Sequence, residues 1–152
     1  MLDFNQQKSR YLWLIGILQN YNFGTNFATK IDEWDDQNGV TGFPRKYSLF
    51  IEYNDIPKSN MDLIFYIDQD GNWSKVEILN IDVAENYRHQ GFGRGLIKQA
   101  INIAKVVGAK RIYGDALEKN GYSSVGFYKK CGFEISEDSI PRKFYMENIQ
   151  NN

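Results

Sequence analysis

The chain has 152 residues, of which 42% are hydrophobic and 24% charged, as expected for one ordinary globular domain rather than a disordered chain. The net charge of −1 and the isoelectric point near 5.8 provide no general basic field, so nucleic acid is not indicated as a partner. One cysteine and one histidine exclude an internal disulfide and a zinc site of the usual spacing.

The longest apolar run near the start is YLWLIGIL, residues 11–18. It is far shorter than the roughly 20 residues that a membrane-spanning helix needs. It follows Lys8 and Arg10 without a small-residue cleavage site, so it is not a typical signal peptide. We therefore expect one cytoplasmic domain over residues 1–152, without a membrane partner.

The elements are predicted from the spacing of apolar residues. A three-to-four spacing predicts a helix over about 6–20, whereas 22–44 is rich in Asn, Asp, Gly and Thr and indicates a loop with at most a short helix. Later elements follow as strands at 46–53, 61–68 and 73–83, a helix at 93–107, a strand at 110–116, a helix at 123–131, and strands at 132–136 and 143–148. This order predicts a mixed sheet with helices on its faces.

The stretch YRHQGFGRGL, residues 87–96, joins a predicted strand to the N-terminus of the long helix. Unpaired backbone N–H groups and the positive end of the helix dipole meet at such a junction. Gly91 and Gly93 let the backbone approach a ligand, and Arg88 and Arg94 can add charge-assisted contacts. The stretch therefore predicts an anion site; an ordinary glycine-rich turn with solvated arginines is the alternative.

Two well-known phosphate loops are excluded at this position. A P-loop needs Gly-Lys followed by Ser or Thr, and the chain has no such tripeptide. The dinucleotide-binding fingerprint needs a third glycine at position 96, which is Leu96 here.

Three motifs in a fixed order resemble a known family. RHQGFG, residues 88–93, matches the signature Arg/Gln-x-x-Gly-x-Gly/Ala. FYKKCGF, residues 127–133, and the closing strand KFYMEN, residues 143–148, follow it. With these motifs the chain resembles the GCN5-related N-acetyltransferases, the GNAT superfamily, over roughly residues 61–148.

The resemblance implies an α/β fold of the mixed α+β kind. Its centre is a mixed, mostly antiparallel sheet of about six to seven strands with helices on both faces, and a bulge splays strands 4 and 5 into a V. The cofactor-binding core is expected at about 61–148, and acceptor-side elements at about 1–60. The first sixty residues match the family only in the number and type of their elements.

The resemblance also implies acetyl-CoA as the acyl-donating co-substrate and no metal. The amides of 89–94 hold the pyrophosphate, the backbone of 81–83 contacts the pantetheine arm, and Asn120 hydrogen-bonds it, unless Gly121 takes that position. The residues implied at the cofactor are Ile81, Asp82, Val83, Arg88, His89, Gln90, Gly91, Phe92, Gly93, Arg94, Gly95, Asn120 and Tyr128.

Two catalytic residues follow from the resemblance. Tyr128 stands where many members carry the tyrosine that donates a proton to the departing thiolate; a core aromatic is the alternative. Glu77, six residues before Val83, matches the base of the histone-acetylating branch. Along an ideal strand Glu77 shares a face with Leu79, Ile81 and Val83; an exposed glutamate redirected by the bulge is the alternative.

Other polar residues are weaker candidates. Glu118 and Asp115 are alternative bases at the end of strand 5. His89 occupies a variable position of the signature, where we expect a solvent-exposed side chain. Cys131 precedes Gly-Phe where an apolar residue is usual, which favours a small core hydrophobe over a nucleophile.

The sequence thus predicts an acyltransferase, namely an acetyl-CoA-dependent N-acetyltransferase that transfers the acetyl group directly to a primary amine. The alternative is a non-catalytic acyl-CoA-binding module, but such a binder has no need of both Tyr128 and Glu77. The acceptor, an amine-bearing small molecule or a peptide or protein amine, is not identified, and a homodimer stays open. An acidic patch that suits a cationic amine, or is merely a solvated loop, comprises Asp32, Glu33, Asp35 and Asp36 beside Trp34.

Overall fold

The computed structural model describes residues 2–34 and 46–151. The strands are β1 Phe27–Trp34, β2 Lys46–Tyr53, β3 Asn60–Ile67, β4 Trp73–Asp82, β5 Arg111–Asp115, β6 Glu118–Lys119, β7 Tyr122–Ser123, β8 Glu134–Ser136 and β9 Lys143–Glu147. The helices are α1 Phe4–Asn20, α2 Phe92–Val106 and α3 Val125–Lys130, with short 3₁₀ turns at Glu85–Tyr87 and Ile149–Asn151.

Seven of the strands form one sheet in the order β1-β2-β3-β4-β5-β9-β8, and β6 and β7 form a separate hairpin. Within the seven-stranded sheet β4 and β5 pair in parallel and every other neighbouring pair is antiparallel. The predicted mixed, mostly antiparallel sheet is confirmed. One hydrophobic cluster joins the sheet to all three helices.

The prediction of a loop over 22–44 is wrong for residues 27–34, which form β1; residues 35–44 lie outside the described residues. Among the described residues β1 pairs with β2 alone, which makes it an edge strand. Exposed Lys30 and Asp32 suit such an edge, because charged side chains protect it from pairing with other chains. Because these residues are polar, the spacing of apolar residues did not predict the strand.

Helix α1 begins at Phe4, two residues before the predicted start, because Asp3 caps it. The Asp3 carboxylate accepts from the Gln6 amide at 2.8 Å, and the Gln6 side chain accepts from the Asp3 amide at 3.0 Å. This reciprocal capping box satisfies two backbone donors that a helix start leaves free.

Alternate residues of β2 contact both long helices. Tyr47 is buried and stacks on Tyr11 of α1, with ring centroids 5.0 Å apart. Tyr53 donates from its hydroxyl to the carbonyl of Phe92, at the start of α2, at 3.1 Å. Because side chains an even number of residues apart share a face, α1 and α2 contact the same face of β2.

Gly114 of β5 is required by the close approach of its neighbours. A Cβ at this position would lie 2.7 Å from the backbone carbonyl oxygen of Ile78 and would overlap the ring of Phe144. The Ile78 carbonyl belongs to β4, beside the point where the two strands separate. Gly114 therefore sets how near β5 and Phe144 come to β4.

We expect Gly114→Ala to lower the free energy of unfolding by about 1–3 kcal/mol, because overpacking forces backbone or ring movement. Urea unfolding of the variant measures the loss. The matched control is Gly126→Ala on α3, where a Cβ meets nothing within 4 Å and alanine is the better helix former. An unchanged unfolding midpoint for Gly114→Ala would refute the packing argument.

Candidate active site

The parallel pairing of β4 and β5 is short, and its end opens a cleft. It comprises three pairs, the last being Glu77 with Tyr113. Beyond that pair β4 runs on to Asp82 beside β3 only, while β5 pairs with β9. The β5-facing edge of residues 78–82 therefore has no strand partner among the described residues, and the splay predicted between strands 4 and 5 is confirmed.

A bulge in β4 lies immediately beyond the last parallel pair. Leu63 pairs with Ile78 and Asp62 with Asn80, so Leu79 is the extra residue. A bulge of this kind reverses which residues share a face. The prediction that Glu77 shares a face with Ile81 is therefore wrong: Ile81 pairs with Met61 and lies on the opposite face.

The backbone after β4 turns into α2 at Gly91. This residue caps the helix in the left-handed region, with φ of 91° and ψ of 0°, and a Cβ there would meet nothing within 4 Å. The first helical amide with a helical partner is that of Gly95, which donates to the Gly91 carbonyl at 3.0 Å. The amides of residues 92–94 precede it, so they form the free donors of the first turn.

Aromatic rings fix this loop from one side. Phe92 makes edge contacts with Tyr53 and Tyr87, with ring centroids 5.3 and 6.1 Å apart. A Cβ on Gly95 would collide with the Tyr53 hydroxyl, and one on Gly93 would lie 3.2 Å from Phe127. Close neighbours therefore require a small residue at Gly93 and Gly95. Of the three glycines in this loop, Gly91 is the one that faces open space.

The charged residues of the loop lie on its exposed side. Arg88 donates from Nε to the Val83 carbonyl at 3.0 Å, which ties the loop to the end of β4. His89, which is also exposed, has a left-handed φ of 64°. Neither Arg88 nor Arg94 belongs to an ion pair within the described part of the chain.

A basic groove continues from the loop between α2 and α3. It has a volume of about 260 Å³, and its lining includes Arg94, Lys98 and Lys130 around the apolar side chains of Ile97 and Ile101. Sequence reasoning missed Lys98 and Lys130; the four-residue spacing of Arg94 and Lys98 along α2 was the available signal. The groove thus adds Lys98 and Lys130 to the arginines of the loop.

Tyr128 of α3 lies on the β5 side of the splay. The residue is 6% exposed. Its ring stacks on that of Phe144, with ring centroids 3.5 Å apart and an interplanar angle of 9°. Burial, with smaller contributions from Tyr122 and Cys131, raises the pKa of the Tyr128 hydroxyl well above its ordinary value. The hydroxyl therefore keeps its proton at neutral pH, as a proton donor must.

Glu77 lies between two tyrosines of neighbouring strands. Tyr66 of β3 donates from its hydroxyl to Glu77 Oε1 at 2.7 Å. Tyr113 of β5 is the direct pairing partner of Glu77. Sequence reasoning missed both tyrosines, because only the strand register brings them to Glu77.

The two alternative bases are held in ion pairs. Arg142 donates to both carboxylate oxygens of Glu118, each at 2.6 Å, and Lys143 donates to Asp115 at 2.9 Å. The hydrogen bond from Arg142 is the main cause that lowers the pKa of Glu118. Glu77 has no such cationic partner within the described residues, so the geometry favours it over both.

Asn120 and Gly121 form the tip of the β6–β7 hairpin. Both have positive φ, 53° and 82°, which is the Asn-Gly pattern of a two-residue hairpin turn. Asn120 is exposed. The turn alone accounts for both residues, and contact of either with the pantetheine stays a prediction.

Several further sequence predictions concern residues away from the cleft. Burial raises the pKa of the half-buried Cys131 thiol against a smaller opposing effect of Arg94, which suits a packing role. Across residues 2–34 and 46–151, no group of three or more His, Cys, Asp or Glu is placed to hold a metal ion. Asp35 and Asp36 of the acidic patch lie outside the described residues. None of the helices described is long and apolar enough to cross a membrane.

Comparison with known proteins agrees with this geometry. A family model described as the acetyltransferase (GNAT) family matches residues 50–133, more than half of the chain. The chain therefore belongs to the GNAT acetyltransferase family.

Individual relatives match less completely. An uncharacterized N-acetyltransferase of Bacillus subtilis (strain 168), YvbK, is 39% identical over 77 residues, which cover 48% of this chain and 45% of that protein. The match thus spans less than half of the length of this curated relative.

Two solved structures show the same fold. A Bacillus subtilis acetyltransferase in complex with CoA has a TM-score of 0.52 and 21% identity over 80% of this chain and 98% of its own. A GNAT family acetyltransferase from Elizabethkingia anophelis with acetyl-CoA bound has a TM-score of 0.52 and 19% identity over 82% and 99% of the two chains.

Proposed function

We propose that this protein is an acetyl-CoA-dependent N-acetyltransferase that transfers the acetyl group directly to a primary amine. One observation carries the proposal: the β4–β5 pairing ends at Glu77, and the free edge of β4 leads from there to the glycine turn at Gly91. A base and a cofactor track therefore lie on one continuous strand and loop. The N-acetyltransferase relative and the CoA-bound structures of the same fold support this assignment.

The residues present fit acetyl-CoA. The first-turn amides of α2 and the open space at Gly91 suit a diphosphate, since a helix N-terminus favours anions. The unpaired edge of residues 78–82 can hydrogen-bond an extended amide chain as an added strand would. Arg94, Lys98 and Lys130 supply positive charge beside the turn. We assign the pantetheine to Ile81, Asp82 and Val83, and the diphosphate to the loop from Arg88 to Gly95.

Bound acetyl-CoA supplies a thioester whose acetyl group an amine can attack. An amine attacks only when neutral, so Glu77 accepts the amine's proton, directly or through a water. Tyr128 donates its hydroxyl proton where the thiolate departs. Residues 1–60 supply the acceptor side of the domain.

The test is release of CoA thiol from acetyl-CoA in the presence of a panel of amines, alongside calorimetric titration with CoA. Small amines, aminoglycosides, amino acids and peptides with free N-termini or lysines cover the acceptor classes. Release that depends on one amine class supports the proposal. CoA binding without release for any amine would indicate a non-catalytic acyl-CoA-binding module instead.

We expect Glu77→Gln to reduce kcat/KM most at low pH, where the amine is mainly protonated and needs a base. The substitution keeps the shape and removes the basicity, and positioned bases contribute about 10²–10⁴-fold. At high pH free amine accumulates, so the defect should shrink. The pH–rate profile of the variant, with the amine identified in the panel, is the measurement. A profile that overlays that of the parent would assign the proton to solvent.

A further inference from the structure

The hydroxyl of Tyr66 makes a short contact with the proposed base. Its distance of 2.7 Å to Glu77 Oε1 is that of a charge-assisted O–H···O⁻ hydrogen bond. Tyr66 pairs across the sheet with Lys75, and Glu77 pairs with Ile64, so Tyr66 reaches Glu77 diagonally. Aromatic side chains span such diagonal positions on one face of a sheet.

The Tyr66 ring is itself held in place. Lys75 Nζ lies 5.5 Å from the ring centroid, within the range of a cation–π contact. Burial first, and then the hydrogen bond to Glu77, raises the pKa of the Tyr66 hydroxyl far above its ordinary value. The hydroxyl therefore keeps its proton at neutral pH and can donate it to Glu77.

The charged and titratable groups around Glu77 come from three strands. Tyr66 belongs to β3, Lys75 to β4, and Tyr113 and Arg111 to β5. Arg111 lies over the Tyr113 ring at 5.0 Å and is paired with Glu147 at 3.1 Å. Of these groups, Tyr66 is the one that the structure shows hydrogen-bonded to Glu77.

We propose that Tyr66 is a positioning residue that holds Glu77 Oε1 by this hydrogen bond, so that Oε2 is left to accept the proton of the acceptor ammonium. The inference rests on the proposed function, because it takes Glu77 as the base. In the step the N–H bond of the ammonium breaks, an O–H bond forms at Oε2, and the nitrogen keeps the electron pair with which it attacks.

The hydrogen bond from Tyr66 to Glu77 can be detected without any acceptor amine. Carbon-13 NMR of the glutamate side-chain carboxyls observes Glu77, whose signal Glu77→Gln identifies by its loss. In the parent this signal should shift between H₂O and D₂O through the bound Tyr66 hydroxyl. Tyr66→Phe keeps the ring and removes the donor, so the isotope shift should decrease. Tyr122→Phe is the control, because Tyr122 is exposed on the β6–β7 hairpin, and this variant should keep the isotope shift of the parent.

An isotope shift that persists unchanged in folded Tyr66→Phe overturns the proposal. An isotope shift that is absent from the Glu77 carboxyl signal of the parent counts equally against it.

Turnover by Tyr66→Phe distinguishes this inference from the proposed function. With an amine from the panel, kcat should fall in Tyr66→Phe, while the KM for acetyl-CoA stays unchanged. An unchanged kcat in a variant whose isotope shift has decreased overturns the role of Tyr66 and leaves the N-acetyltransferase intact. If no amine gives turnover, the proposed function fails, and the NMR comparison still decides whether Tyr66 holds Glu77.

Discussion

Gly91→Val should weaken CoA binding about a hundredfold. Gly91 has a φ of 91°, a conformation that a β-branched residue adopts only with strain. The turn would relax to a conformation in which one or two amides no longer meet the diphosphate, and each hydrogen bond to a charged group contributes about 1.5–3 kcal/mol. Calorimetric titration with CoA measures the loss.

Gly16→Val is the control for that experiment. Gly16 lies within α1, a Cβ there meets nothing within 4 Å, and valine is a better helix former than glycine. This variant should therefore keep both the fold and the CoA affinity. If folded Gly91→Val bound CoA as the parent does, the turn at Gly91 would not be the diphosphate site.

Tyr128→Phe should lower kcat by about 10²–10⁴-fold while CoA affinity stays unchanged. The variant loses only the hydroxyl, and its ring keeps the stack on Phe144. Within the described residues the hydroxyl has no hydrogen-bond partner, so its removal should cost little stability. Thiol release under conditions where chemistry limits the rate is the measurement.

The control for this variant is Tyr122→Phe. Tyr122 is 59% exposed on the β6–β7 hairpin, so removing its hydroxyl should leave kcat unchanged. Equal kcat values for Tyr128→Phe and the parent would reduce Tyr128 to a packing residue beside Phe144.

Local patterns were enough to predict the glycine turn before α2. The apolar stripe of α2 and the glycines before it placed this turn between β4 and the helix. The turn depends on residues that are adjacent in sequence, so short-range rules apply to it. The motifs at 88–93 and 127–133 then indicated the family, which the match over 50–133 shows.

The surroundings of Glu77 and the first strand depended on strand pairing that the sequence does not display. The bulge at Leu79 reverses the faces of β4 beyond that residue. The regular alternation of an ideal strand therefore predicted the wrong face of the sheet for Ile81. Tyr66 reaches Glu77 only because of the register between β3 and β4, across 11 residues of chain. Strand β1 was missed because its polar residues suit an edge and break the apolar pattern.

The most direct measurement is a crystal structure of the protein with CoA bound. We expect the diphosphate within hydrogen-bonding distance of the amides of 89–94, and the pantetheine along residues 81–83 at the end of β4. We also expect the sulfur in the splay, between Glu77 and Tyr128. CoA bound with its diphosphate away from this turn, or with its sulfur outside the splay, would contradict the proposed site.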